Sequence, residues 1–499
     1  MRQAIAALVV VLALLPACSR GSSAPLAVTQ SAPATTATTP TVSSPVEVST
    51  TDFTTVSKLI NDAIAAEKLP GAVLLVGHDG KIAFHHAYGV RRLASEPALN
   101  GSPAPAEPMT IDTIFDLASL TKILATTTVV MQLYEQGKVE FDSPVQHYLP
   151  DFNIGNDPRR ANVTVRMLLT HTSGETGDVE LKDPWGLSGV DRAQGIRRAL
   201  TTPLESGPGE MFRYSDINFI VLGVLVERLT SEPLDVYVQQ HVFDPLGMAD
   251  TRYLPLAKAC GPHTINGSAI GWAPSLNGSA RVTCPPGTWS TDVLSRIAPT
   301  ARDEENSGEP SKNPDFNHLL RGSVHDMTAR RMGGVAGHAG VFSTTSDVGI
   351  FAQALLDRLA GRPSQFPLAQ TTLELMTSPQ QPGHNAAQVS AANNATREAI
   401  ARKMNTWNPL MAPRYPAIPM QNLRGFGWDI DTPLSGPRGM VFPIGSFGHT
   451  GFTGTSIWID PASNTYIVLL SNSIHTRGSP PMSMLRGEVA TATARALGL

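Results

Sequence analysis

Strand signals stand at both ends of the ordered part of this chain, with helical signals between them, and no other feature limits the fold as much. Residues 71–89 alternate apolar and polar around Asp79-Gly80, a dipeptide that between apolar runs marks a tight hairpin. Far along the chain, residues 455–459 and 466–470 make a second apolar pair, joined through Asp460-Pro461-Ala462-Ser463-Asn464. A short helical stretch (56–66) precedes the first hairpin and an Ala-rich one (482–497) follows the second. Such an order predicts one α+β domain whose antiparallel sheet is built from both termini, flanked by helices.

Between the hairpins, residues 120–134, 218–229 and 234–242 read as helices. Residues 254–326 are rich in Gly, Pro, Ser and Asn and read as an irregular insertion with a poor core of its own. Residues 379–424 show no clear period, and no internal repeat is visible. The 499 residues carry a formal net charge of -4 without a Lys/Arg run, so no electrostatic footprint for nucleic acid exists and small neutral or anionic substrates stay open.

The first 53 residues obey different rules. Arg2 is followed by an uncharged apolar run from Ala4 to Leu15, too short to span a bilayer and suited to an export signal. Leu15-Pro16-Ala17-Cys18 resembles a bacterial lipobox, which implies a signal over residues 1–18 and lipid on Cys18; an ordinary signal cut near Ala17 is the alternative. Residues 19–53, mostly Ser, Thr, Pro and Ala, cannot bury enough surface to fold and read as a tether. The expectation is an exported protein, lipid-anchored to a bacterial membrane and facing the periplasm or exterior, with the folded domain over 54–499. Cys260 and Cys284 then form an even pair in an oxidising compartment, expected to make one disulfide, with two separately buried thiols as the alternative.

Chemistry concentrates first at Ser119-Leu120-Thr121-Lys122, which sets a hydroxyl and an ammonium on one face of a helix starting at Ser119. The motif alone is weak. Between Asp116 and Glu135, however, Lys122 is the single charged residue, so the helix is expected to be buried. Desolvation lowers the pKa of a buried lysine and makes it a proton acceptor, and a helix start aims a free N–H at an oxyanion. A helix-capping serine with a lysine reaching outward is the competing structural reading.

With Tyr214-Ser215-Asp216 and His449-Thr450-Gly451 following in order, the chain resembles the penicillin-binding proteins and class C-like β-lactamases, which carry Ser-x-x-Lys, Tyr-x-Asn and Lys/His-Thr-Gly. Leu168 through Gly174, Gly334 through Gly340 and Phe447 through Ser456 strengthen the likeness. The resemblance implies a β-lactamase/transpeptidase-like fold with a mainly helical subdomain. It also implies Ser119 as the acyl-accepting nucleophile, Lys122 and Tyr214 as proton handlers, and the backbone N–H groups of Ser119 and Phe452 as the oxyanion hole. Asp216, His449, Thr450 and Gly451 would line the substrate, and no metal or organic cofactor is implied.

Two positions depart from the pattern. Asp216 stands where the family usually has Asn, and its carboxylate is expected to raise Lys122, leaving the lysine as an electrostatic stabiliser while Tyr214 takes the proton. His449 stands where class C β-lactamases have Lys; a partly charged imidazole would grip a substrate carboxylate less firmly as pH rises. A His in this place is similar to certain D-alanyl-D-alanine peptidases and esterases of the superfamily, so the resemblance implies a D-alanyl-D-alanine carboxypeptidase-like or esterase-like activity on a small or peptidoglycan-derived acyl substrate. A class C-like β-lactamase and a non-catalytic penicillin-sensing or cell-wall-binding lipoprotein are the rivals. No Gly-x-Ser-x-Gly elbow or phosphate loop is present. His171, His325 and His338 read as hydrogen-bonded structural residues, not ligands, and Trp185, Trp428 and Trp458 as cleft or packing residues.

Overall fold

Asp79 and Gly80 both lie at positive φ (50° and 74°), as the tight hairpin turn requires, and Gly80 adopts that backbone without steric cost. In the computed structural model, which describes residues 51–271, 282–380, 423–476 and 482–499, this hairpin belongs to a large sheet and lies toward one edge of it. In chain order the strands are β1 (Gly71–His78), β2 (Lys81–Arg92), β3 (Glu107–Pro108), β4 (Phe115–Asp116), β5 (Arg252–Tyr253), β6 (Val341–Ser343), β7 (Leu423–Arg424), β8 (Asp429–Asp431), β9 (Phe447–Thr450), β10 (Ser456–Asp460) and β11 (Thr465–Ser471), leaving aside short pairs within 254–326. The eight-stranded sheet runs β7-β8-β9-β10-β11-β1-β2-β3. Its seam between the two ends of the chain is antiparallel β1 on β11, from Ala72 opposite Ser471 to His78 opposite Thr465.

The sheet is covered on both faces, which is why β1 is apolar almost throughout. Ala72, Leu74 and Val76 point into a cluster with Val56 and Ile60 of α1 (Thr54–Ala65) and Val489 of the last helix (Ser483–Ala496). Val73 and Leu75 point the other way, into the main core. Burying Leu74 and Leu75 contributes on the order of 2 kcal/mol each. Residues Thr51–Leu499 make one compact unit.

The helical part holds the site. Residues Lys122–Thr127 form a π-turn that continues into α2 (Thr128–Glu135), where a plain helix is expected from sequence. The reason is a run of threonines: Thr128 Oγ1 donates back to the Ile123 carbonyl (2.9 Å) and Thr126 Oγ1 donates to the Gly337 carbonyl (2.6 Å), drawing the helix out of its regular ladder. Helix α3 (Asp216–Thr230) is buried along most of its length. A small sheet, β4-β6-β5, pairs Asp116 with Phe342 and sets the segment before Ser119.

Three expectations need correction or limits. The 254–326 segment is irregular, but it is not poorly cored: Leu256, Ile270, Trp289, Leu294 and Ile297 belong to the main core. Cys260 and Cys284 are disulfide-bonded, with Cα atoms 5.7 Å apart. Trp428 and Trp458 are core residues and not cleft walls, with Trp458 Nε1 donating to Ser446 Oγ at 2.9 Å; Trp185 packs under Arg198 and Arg331. The signal and Cys18, the tether up to residue 50, and most of the 379–424 stretch lie outside the described residues. Among the described residues, no helix is long and apolar enough to cross a membrane.

Candidate active site

Ser119 is presented by a strained backbone. Ala118 has φ 47°, a left-handed conformation that costs a non-glycine residue on the order of 1 kcal/mol. The buried carboxylate of Asp116 holds it there, accepting the Ala118 N–H at 2.9 Å and, on its other oxygen, the His325 N–H at 2.7 Å. Burial pushes the Asp116 carboxyl up to about 6 against the pull of those two N–H groups. Asp116 escapes sequence inspection because nothing local distinguishes it from a strand-end acid.

Lys122 is completely buried and reaches back over one turn to Ser119. Its ammonium has three acceptors: Ser119 Oγ at 2.9 Å, Asp216 Oδ1 at 2.5 Å and the His338 carbonyl at 3.1 Å. Burial draws the lysine pKa down, but the charges of Asp216 and Tyr214 outweigh it, so the net shift is upward. Asp216 therefore acts as its sequence position suggests, and the simpler idea that burial alone would make Lys122 a free amine is overturned. An ammonium with three acceptors has no lone pair for the serine proton.

Tyr214 lies beside this pair, with Lys122 Nζ 5.1 Å from its ring centroid. Burial raises its pKa, Lys122 opposes that rise, and Asp216 and its closeness to Ser119 enter as smaller effects; the net shift is upward. The ring stacks on His171 (centroids 4.4 Å, 29°) and approaches His449 (6.0 Å). His171 Nδ1 accepts the Ser215 N–H at 3.1 Å, so this buried imidazole, neutral because of burial and then Arg424 and Lys122, positions both the ring and the backbone of the Tyr214-Ser215-Asp216 turn.

The third motif is stitched against the first. Thr453 Oγ1 donates to the Asp116 carbonyl (2.8 Å) and Thr455 Oγ1 to the Leu117 carbonyl (3.0 Å). A Cβ on Gly451 would stand 2.5 Å from the Leu117 oxygen, so this approach needs glycine. Arg486, from the last helix, donates to the Gly451 (2.7 Å) and Thr455 (2.9 Å) carbonyls and braces the turn from behind. The N–H groups of Ser119 and Phe452 find no acceptor among the described residues. Thr450, half-buried, ends β9 next to this turn.

His449 differs from expectation. Its ring is 3% exposed, Nδ1 lies 2.8 Å from the Thr450 carbonyl and so carries the proton, and burial, then Arg424 and Lys122, holds its pKa well below 6.5. A neutral imidazole cannot supply the pH-dependent cationic grip on a carboxylate that its position invites from sequence.

Two acids outside the motifs, Asp178 and Asp326, join Asp216 at the site. Oxygens of Asp178, Asp216 and Asp326 lie within 4.8 Å of one another. Such a set is the place a cation would go, but its charge is already answered: Lys122 bonds Asp216, and His338 Nε2 bonds Asp326 Oδ1 at 2.8 Å. Asp178 is pushed up to about 7 by burial and by the charges of Asp326 and Asp216. His171, His325 and His338 all sit in internal contacts, as read from sequence; what sequence hides is that His338 lends its carbonyl to Lys122.

Comparison with known proteins agrees with this geometry. The model of the "Beta-lactamase" family matches residues 56–491. The chain is 29% identical over 421 residues to a "Putative D-alanyl-D-alanine carboxypeptidase" of Escherichia coli, covering 83% of this chain and 80% of that one. It is 30% identical over 444 residues to an "N-acetylmuramyl-L-alanine amidase" of Bacillus subtilis, covering 86% and 83%. Among solved structures, simvastatin synthase from Aspergillus terreus aligns with a TM-score of 0.56 at 22% identity, over 88% of this chain and 97% of that one, which speaks for the fold. A serine and lysine joined by a hydrogen bond, on a sheet built from both termini and matched over nearly the whole folded unit, place this chain in the β-lactamase family of serine hydrolases.

Proposed function

We propose that the protein is an exported, lipid-anchored hydrolase that opens an amide bond in peptidoglycan-derived fragments through an acyl-enzyme on Ser119. The observation that carries this reading is the 2.9 Å bond from Lys122 Nζ to Ser119 Oγ, together with the Ser119 and Phe452 N–H groups, which have no acceptor among the described residues and would serve an oxyanion. Ser119 Oγ attacks the carbonyl carbon, and its proton passes through Tyr214 to the departing amine nitrogen as the C–N bond breaks. Water then adds to the ester, gives its proton back along the same path, and frees Ser119 with the carboxylic acid. Lys122, held as an ammonium near neutrality, stabilises the negative charge building on the attacking oxygen; once it loses its proton at higher pH it takes the serine proton itself, which is the faster route.

The two named relatives are a carboxypeptidase and an amidase of cell-wall material. Both cut amides next to alanine, which supports an amide over a β-lactam. Export and Cys18 lipidation rest on the residues before 54.

The test is steady-state turnover of a nitrophenyl ester, a chromogenic cephalosporin, a D-Ala-D-Ala peptide and N-acetylmuramyl-L-alanine, beside Ser119→Ala. Ser119-dependent cleavage of an amide is the expected result. Turnover that survives Ser119→Ala, or strong cephalosporin hydrolysis with neither amide cut, would overturn the reading.

A further inference from the structure

The 254–326 segment does more than cover the core: with the residues after β11 it walls a cavity of about 440 Å³ that Phe452 and Met327 also line. Phe452 is 73% exposed, the most exposed of the large apolar side chains at this end of the site, and Met327 beside it is 40% exposed. One face of the Phe452 ring is backed by His325 (centroids 5.7 Å, 18°). The His325 N–H is bonded to Asp116, the carboxylate that also holds Ala118 next to the nucleophile. The ring is thus a braced platform standing directly beside the Ser119 loop.

The back of the cavity is charged but internally matched. Arg330 donates to Asp303 at 2.9 Å and to Glu305 at 2.8 Å, and Asn313 donates to the other Asp303 oxygen at 3.0 Å. An occupant therefore meets matched charges on Arg330, Asp303 and Glu305, an apolar ring and a thioether, and Arg302, whose guanidinium is 3.4 Å from Glu96 and keeps further N–H groups for a polar edge. An alkyl chain would call for a closed apolar slot, which a half-charged wall does not offer. A flat ring with C–H groups on its face and hydroxyls at its edge fits on both counts.

Resting on the proposed amide-cleaving reading, we propose that this cavity is a sugar subsite. In it the pyranose of an N-acyl amino sugar stacks on Phe452 while the carbonyl attached to that sugar sits at Ser119. One residue serves both ends of the contact: the Phe452 N–H faces the carbonyl oxygen and its side chain faces the group attached to that carbonyl. Sequence alone could not find this, because Phe452 is marked there only through its backbone.

The experiment compares kcat/KM for N-acetylmuramyl-L-alanine with that for lactoyl-L-alanine, the same lactyl amide without the ring, and for octanoyl-L-alanine, on the full chain. The sugar-bearing substrate is expected to be preferred roughly tenfold or more over lactoyl-L-alanine, the scale of one good ring contact. That ratio falls to near one in Phe452→Ala, falls several-fold in Met327→Ala, and is kept in Phe452→Trp. Because each ratio is taken within one preparation, a fraction of misfolded variant does not change it. A wild-type ratio near one, an equal or larger preference for octanoyl-L-alanine, or loss of both amides alike in Phe452→Ala would overturn the subsite. So would cleavage of a nitrophenyl ester through Ser119 with neither lactyl amide cut. Ester turnover that persists in Ser119→Ala instead sinks the underlying reading.

Discussion

Lys122 and Arg330 are both buried cations held by carboxylates, and the difference between their surroundings shows why one suits chemistry and the other suits architecture. Arg330 spreads its fork over Asp303 and Glu305, while Arg331 takes the second Glu305 oxygen at 2.5 Å. Each charge there faces a planar partner that keeps its proton at any ordinary pH. Lys122 concentrates its charge on one nitrogen shared among a serine hydroxyl, an aspartate and a carbonyl, and an amine can give a proton up. The first cluster ties the 254–326 segment to the wall of the site, and the second acts on the partly exposed Ser119 from beneath, fully buried itself.

Removing each cation in turn is the strongest way to break this comparison. Lys122→Met is expected to lower kcat/KM for any acyl substrate by roughly 10³-fold, within the usual span for a lost proton-handling group. Its effect on unfolding should be small, since the Asp216 side chain is 22% exposed and can rehydrate. Arg330→Met should do the reverse, costing about 3–5 kcal/mol of stability by leaving buried Asp303 with Asn313 and no cation, and Glu305 with Arg331 alone. Denaturant unfolding and kcat per folded molecule measure both; an active Lys122→Met or a fully stable Arg330→Met would erase the distinction.

A third buried pair sharpens it through pH. Glu175 lies 3.1 Å from Arg160, and burial pushes its carboxyl up to about 7 despite that arginine. The folded pKa stands above the unfolded value of 4.5, so the native state binds the extra proton. This contribution to stability is full below about pH 4.5 and is lost as pH rises through 7, on the order of 3 kcal/mol in all. Glu175→Gln should flatten that slope in unfolding curves taken from pH 4 to 8, whereas a slope unchanged by the substitution would mean that the pair is already ionised throughout.

The parts of this picture that sequence displays are those repeated along the chain or packed into short motifs. Alternation and Asp79-Gly80 reveal the seam of the sheet, and Ser119, Lys122, Tyr214 and Asp216 stand in spacings that chemistry recognises. Groups that act through single long-range contacts leave no local trace. Asp116 grips Ala118 and His325, His338 offers a carbonyl 216 positions from Lys122, and Arg486 reaches the Gly451 turn from the last helix. The misreading of 254–326 has the same origin. Its apolar residues show no period because they enter a core built by other segments, and its charged residues close on Arg330 and Arg331, just beyond its end.

The finest distinction concerns Asp216. With its carboxylate 2.5 Å away, Lys122 is held as an ammonium well into the alkaline range, so the cluster gains a proton acceptor only as pH climbs. Acylation should then rise with pH on the alkaline side. Asp216→Asn removes the charge that overcomes burial; burial then draws the lysine downward, and the rising limb of kcat/KM should move to lower pH by about one unit, with faster acylation near neutrality. Arg330→Lys, made as the matching change in the other cluster, should leave the limb where it was, since its partners do not touch Ser119. A limb that does not move in Asp216→Asn would mean that the serine proton leaves by a route which does not feel Lys122, with Tyr214 alone setting the profile.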